Sequence, residues 1–203
     1  EMLSGDWSSD VCSSDLQFVE MIERQAGRLA TLVEDLLDLS RIESRGLKLQ
    51  RESLELGEQL RQVLGLFEGR AAERGVSLRL ELPGAGVWGL IDRKAFEHVV
   101  SNLIENAVKY AGKGANVTLG ASAGAQMVTV TVADTGPGID ARHLPRIFER
   151  FSRGANADRF DPNGTGVGLY IAKGIIERFG GKIAVDSVEG RGTTITFSLP
   201  VTE

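Results

Sequence analysis

Two periodicities share this chain, and the order in which they occur constrains its fold more than any other feature. Apolar residues recur at helical spacing over about 57–73, 93–110 and 166–179. They recur at every second residue over Asn116–Leu119 and Met127–Ala133, and again over 182–187 and 193–199. Each of those two pairs reads as a hairpin, while shorter strands are predicted at 76–82 and 87–91. Strand runs that follow one another, without a helix between every pair, argue against a strict βαβ series. They predict an α+β layer with one antiparallel or mixed sheet, and Asp92 stands where a cap would open the helix at 93.

Upstream the pattern is different. From Gln17 to about Ser44, Ile22, Leu29 and Leu36 repeat every seven residues, and Leu32, Val33, Leu39 and Ile42 widen the same stripe. Such a long amphipathic helix must cover its apolar face with other helices, so a bundle or a dimer is implied. Gly46 ends it, and LKLQRESLEL alternates as a short strand or extended linker. The expected division is a leader over 1–16, a helix over 17–45, a linker over 46–56 and a second unit over 57–203. Within the leader, Asp6 to Leu16 (DWSSDVCSSDL) resembles the translation of a sequencing-library adapter. Residues 1–16 are therefore read as an artefactual or disordered segment outside the fold.

Charge and cysteine content narrow the chemistry. A net charge of −5 offers no general basis for gripping nucleic acid, so any polyanion must be held locally. The single cysteine, Cys12, excludes an internal disulfide framework and fits a reducing compartment. No run of 18 consecutive apolar residues occurs, which predicts a chain that does not cross a membrane and a cytoplasmic location.

Glycine, at 25 of 203 residues, gathers after residue 111 in three clusters: Asp134-Thr-Gly-Pro-Gly-Ile139, Gly164-Thr-Gly-Val-Gly-Leu169 and Gly190-Arg-Gly-Thr-Thr194. Glycines so spaced let backbone N–H groups approach a bound group, and the second cluster opens a helix whose N-terminus favours phosphate. On the helix over 93–110, Asn102, Asn106, Lys109 and Tyr110 fall along one edge. An amide oxygen is a hard neutral ligand suited to Mg²⁺ beside phosphates, and a lysine supplies a point charge for them. Taken alone, the third cluster also reads as an ordinary hairpin turn.

In order, NLIENAVKY, DTGPGI, IFERFSR, GTGVGL and GRGTT resemble the N, G1, F, G2 and G3 boxes of sensor histidine kinases. RLATLVEDLLDLSRIE resembles the second helix of that family's dimerisation and phosphotransfer hairpin. The resemblance implies a two-layer α/β sandwich of the Bergerat type over 57–203, catalytic and ATP-binding, preceded by the hairpin helix. It implies Asn106 as the Mg²⁺ ligand, Asn102 beside it, Lys109 on the phosphates and Tyr110 near the ribose or base. Asp134 would accept the adenine amino group, with Gly136 and Gly138 making room for the base and Thr193 on the adenine side. Arg153 would reach the γ-phosphate, with Arg150 the weaker candidate, and 152–163 would form the ATP lid. Gly164, Thr165, Gly166 and Gly168 would make its hinge and the phosphate-facing turn.

ATPases of the same fold carry a Glu four residues before the Mg²⁺ asparagine to activate water; here Asn102 stands there, an amide that cannot serve as a base. Glu105 projects about 100° away from Asn106 around the helix. The expectation is slow hydrolysis and transfer of the γ-phosphate to a histidine, then to the receiver domain of a response regulator. The family's acceptor histidine lies on a first hairpin helix that this sequence does not contain; His98 and His143 lack the acceptor context. The chain is therefore expected to bind ATP without phosphorylating itself. Its full-length counterpart is expected to dimerise through the hairpin and to carry any membrane anchor. The alternatives within the fold are a non-autophosphorylating nucleotide-binding module and an anti-sigma-like serine kinase. A dinucleotide-binding reading of Gly164, Gly166 and Gly168 fails, because the preceding GANADRFDPN cannot be the strand it requires.

Overall fold

The computed structural model describes residues 15–19, 21–23, 25–27, 29, 33, 50–152 and 164–201. The described positions between 15 and 33 are helical; those from 17 onward follow the amphipathic pattern, whereas Asp15 and Leu16, read as part of the leader, are helical as well. The remainder of the expected leader, the rest of the 17–45 helix and residues 153–163 lie outside the described residues.

From residue 52 onward the elements run β1 (Glu52–Glu55), α1 (Leu56–Arg74), β2 (Ser77–Glu81), β3 (Trp88–Ile91), α2 (Arg93–Tyr110), β4 (Asn116–Ala123) and β5 (Met127–Asp134). After a 3₁₀ turn at Leu144–Arg146 come α3 (Gly168–Arg178), β6 (Lys182–Val188) and β7 (Gly192–Pro200). Five strands form one mixed sheet in the order β2-β4-β5-β7-β6, parallel only between β2 and β4. β1 and β3 make a separate antiparallel pair.

Alternation decides which face of the sheet is buried. Val117 and Leu119, Val128, Val130 and Val132, and Ile195, Phe197 and Leu199 point to one side and are buried; Thr129, Thr131 and Thr196 take the other. Against the apolar side lie Phe96, Leu103 and Ile104 of α2 with Ile171 and Ile176 of α3, all fully buried. Phe96 meets Phe197 edge to face at 6.1 Å. Helix α2 is central, flanked by α1 and α3. This is the expected two-layer α+β sandwich.

The caps are local chemistry. The Asp92 carboxylate accepts from Ala95 N at 3.0 Å and opens α2. Glu55 accepts from the Gly57 and Glu58 amides at the start of α1 and from Val87 N at 3.1 Å, so one side chain closes β1, caps α1 and holds the entry to β3.

Two boundaries differ from the sequence reading. Residues 52–56, assigned to the linker, join the folded unit instead: β1 pairs with β3, and Leu54 and Leu56 are buried in the core. Four residues are too few for alternation to separate a strand from an extended linker. β4 also runs four residues past Leu119, because Gly120 and Ala121 continue the ladder with side chains too small to show a hydropathy contrast.

Candidate functional site

Asn102, Asn106, Lys109 and Tyr110 fall on the second half of α2 and are all half-buried, a polar edge on a helix whose opposite side is core. The two glycine loops bracket that edge. At one end, Asn102 Nδ2 lies 3.5 Å from the Gly168 carbonyl oxygen at the start of α3. At the other, Gly136 packs onto Ala111, the residue that follows Tyr110. A methyl group at Gly136 would stand 2.6 Å from Ala111 Cα and 3.0 Å from its oxygen, so only glycine lets the loop close on the helix. Nine residues separate Asn102 from Ala111, about 14 Å of helix at ~1.5 Å per residue, a length suited to an extended nucleotide.

Asp134 ends β5 directly opposite Thr193 of β7. Its Oδ1 accepts from Gly136 N at 2.8 Å, and the Thr193 amide also donates to the carboxylate. Burial raises the Asp134 pKa above the usual carboxylate value, and these two N–H donors pull against that rise. Gly138 and Gly192 both have positive φ, and a side chain on either would run into backbone: the Val188 carbonyl for Gly138, the Asp134 carbonyl for Gly192. The Asp134–Ile139 loop and the β6–β7 turn therefore fit together with no room between them, and Gly190 N donates to Pro137 O at 2.7 Å across the junction.

Gly164, Thr165, Gly166 and Gly168 form the approach to α3. Val167 N reaches Thr165 Oγ1 at 3.4 Å, and the cap residue Val167 supplies no side-chain acceptor, so the first N–H groups of α3 are not capped by a side chain there. Gly166 has φ +70° and closes on the backbone of Phe151 and Ser152; Phe151 itself has φ +59°. Lys109 Nζ lies 3.7 Å from Oε1 of Glu105, whose side chain is itself about half exposed. Arg150 stacks on the Tyr170 ring at 4.9 Å and donates to its hydroxyl at 3.0 Å. Arg153 and most of the expected lid lie outside the described residues.

One residue of this cluster escaped the sequence reading. Ser187 on β6 touches both the Asp134–Ile139 loop and the β7 start. Its signal was available: in KIAVDSV, Ile183 and Val185 face the core side, and Ser187 occupies the next position of that same row.

Residues 91–203 match the family described as histidine kinase-, DNA gyrase B- and HSP90-like ATPase. Among curated proteins, the chain is 34% identical over 189 residues to the sensor histidine kinase WalK of Bacillus subtilis, covering 92% of this chain and 31% of that protein. It is 32% identical over 185 residues to the histidine protein kinase DivJ of Caulobacter vibrioides, covering 91% and 31%. The chain thus spans about a third of the length of these relatives. Among solved structures it resembles full-length ShkA in complex with AMPPNP, with a TM-score of 0.80 at 28% identity over 92% of this chain and 39% of that one. It also resembles the histidine kinase ThkA in complex with the response regulator TrrA, with a TM-score of 0.73 at 26% identity over 92% and 51%.

Proposed function

The chain belongs to the histidine kinase-, DNA gyrase B- and HSP90-like ATPase family, and from that premise we propose that it is the ATP-binding catalytic part of a two-component sensor histidine kinase. ATP would lie along the polar edge of α2. Its base would sit between Asp134, Gly136, Gly138 and Thr193, with Tyr110 near the ribose, and its phosphates would lie toward Lys109 and the Gly164–Gly168 approach to α3. The observation that carries this reading is the Asp134 carboxylate, anchored by two backbone N–H donors in a loop whose glycines cannot carry a side chain. A half-buried acceptor held that way accepts from an exocyclic amino group and turns away a carbonyl.

The donor set suits magnesium that arrives with the nucleotide. Asn106 offers one neutral oxygen, and among the described residues no three His, Cys, Asp or Glu side chains converge. Mg²⁺ retains waters and takes most of its charge partner from phosphates, so Asn106 with the β- and γ-phosphates would hold it. When bound, the ion neutralises charge developing on the transferring phosphoryl group. Lys109 and Arg153 would share that task, and Asn102 would orient the site without activating water. An imidazole nitrogen of the acceptor histidine would then form a bond to the γ-phosphorus as the bond between that phosphorus and the β–γ bridging oxygen breaks, the oxygen staying with the β-phosphate. ADP leaves, and the phosphoryl group passes on to the receiver domain of a response regulator. No helix among the described residues is long and apolar enough to cross a membrane.

Calorimetry on the chain tests this. ATP with Mg²⁺ should bind, Asn106→Ala and Asp134→Ala should each abolish binding, and Mg²⁺ without nucleotide should give no heat. Wild-type affinity in both variants would overturn the site, and sustained release of free phosphate would make the chain a hydrolase instead.

A further inference from the structure

Ser187 stands outside every motif that marks the nucleotide site, yet it touches two of them. Its Oγ accepts from Ile139 N at 2.9 Å, at the end of the Asp134–Ile139 loop, and lies 2.9 Å from the Gly192 carbonyl oxygen and 3.0 Å from Thr193 Oγ1. A serine hydroxyl has one proton to give. Given to the Gly192 oxygen, it leaves Thr193 Oγ1 to donate into Ser187 Oγ, and that sets the orientation of the Thr193 side chain. Thr193 is the residue opposite Asp134 whose amide supports its carboxylate.

We infer that Ser187 is a positioning residue for base selection: by tying Ile139, Gly192 and Thr193 to one oxygen, it holds Asp134 in the orientation that accepts the adenine amino group. Three features favour this role over ordinary strand packing. Ser187 lies in the same row as Ile183 and Val185, where an apolar side chain would serve packing better. All three of its partners belong to the loop or to the start of β7. The glycines at 138 and 192, which allow the two segments to touch, provide space but no bond that fixes register or angle, and Gly190 N to Pro137 O joins only the turn to the middle of the loop.

The inference rests on the adenine reading of Asp134, and its test separates the two. ATP and inosine triphosphate differ at one position of the base, an amino group in the first and a carbonyl in the second, so the ratio of their affinities reports on the Asp134 contact. Calorimetry on the full chain with each nucleotide and Mg²⁺ should show a clear preference for ATP. Ser187→Ala should lower that ratio about tenfold, while Ser187→Thr, which restores the hydroxyl, should keep it. Asp134→Asn is the control. If Asp134→Asn leaves the ratio unchanged, the base-site reading falls and this inference with it. If Asp134→Asn collapses the ratio but Ser187→Ala does not, the inference alone is overturned. Equal weakening of both nucleotides in Ser187→Ala, with a lowered melting temperature, would show a purely structural serine and would also overturn it. Should Ser187→Ala not fold, Ser187→Thr decides: an altered ratio in a folded Ser187→Thr overturns the inference.

Discussion

Asp134 shows at the scale of one residue how a binding group can work against the fold that carries it. Its carboxylate is raised in pKa chiefly by burial, with the Gly136 and Thr193 amides opposing. An acid whose pKa is higher folded than unfolded binds more protons in the native state between the two values. Stability therefore falls as pH rises through that window, and the cost is fully present above the folded value. Asp134→Asn, which keeps an acceptor for Gly136 N but removes the charge, should raise the melting temperature at neutral pH while losing the preference for ATP. Thermal unfolding followed from acid to neutral pH checks the sign: the gap between variant and wild type should close as pH drops through the Asp134 pKa. The ATP preference of the wild type should weaken over the same interval, and measuring it as a ratio to inosine triphosphate cancels protonation of the phosphates. A variant less stable than wild type at neutral pH would show that the carboxylate's hydrogen bonds outweigh its desolvation.

Between elements, the site is a matter of how closely backbones can approach. The β6–β7 turn holds two glycines with positive φ that differ in surroundings. Nothing lies near a side chain at Gly190, whereas one at Gly192 would meet the Asp134 carbonyl. Gly190→Ala should cost about 1 kcal/mol, the strain of a left-handed alanine alone. Gly192→Ala adds a backbone collision and should cost roughly 3 kcal/mol or more together with nucleotide binding. Denaturant titration of the two variants separates these, and equal losses would mean that the turn yields freely. The same contrast explains what was legible beforehand. The α2 edge could be read because 3.6-residue spacing alone lines up Asn102, Asn106 and Tyr110, and the loops because glycine clusters mark them. Ser187 carried a weaker signal, a polar residue in the inward row of Ile183 and Val185, and its role shows only once its three partners are brought to it. β1 was left open between a strand and a linker because the pairing with β3 that decides it comes from a segment more than thirty residues away.

At the scale of the whole molecule, a folded nucleotide unit follows a helix whose apolar side chains are bare. Phe18, Val19, Ile22, Leu29 and Val33 are all more than half exposed, although their spacing is that of a packing stripe. Apolar surface of that extent seeks cover, and the bundle or dimer expected from the sequence would supply it. None of these side chains belongs to the polar edge of α2 or to the glycine loops, so assembly and nucleotide binding should be separable by mutation. Ile22→Glu with Leu29→Glu should abolish self-association in sedimentation velocity while leaving ATP affinity within about twofold of wild type, as expected for distant independent sites. The consequence for catalysis is sharper. When γ-labelled ATP is offered together with a separate chain bearing a complete hairpin and its histidine, label should move to that histidine from the wild type and not from the double variant, because transfer needs the bundle to bring donor and acceptor together. Undiminished transfer by the double variant would mean that the nucleotide unit finds its histidine without the helix.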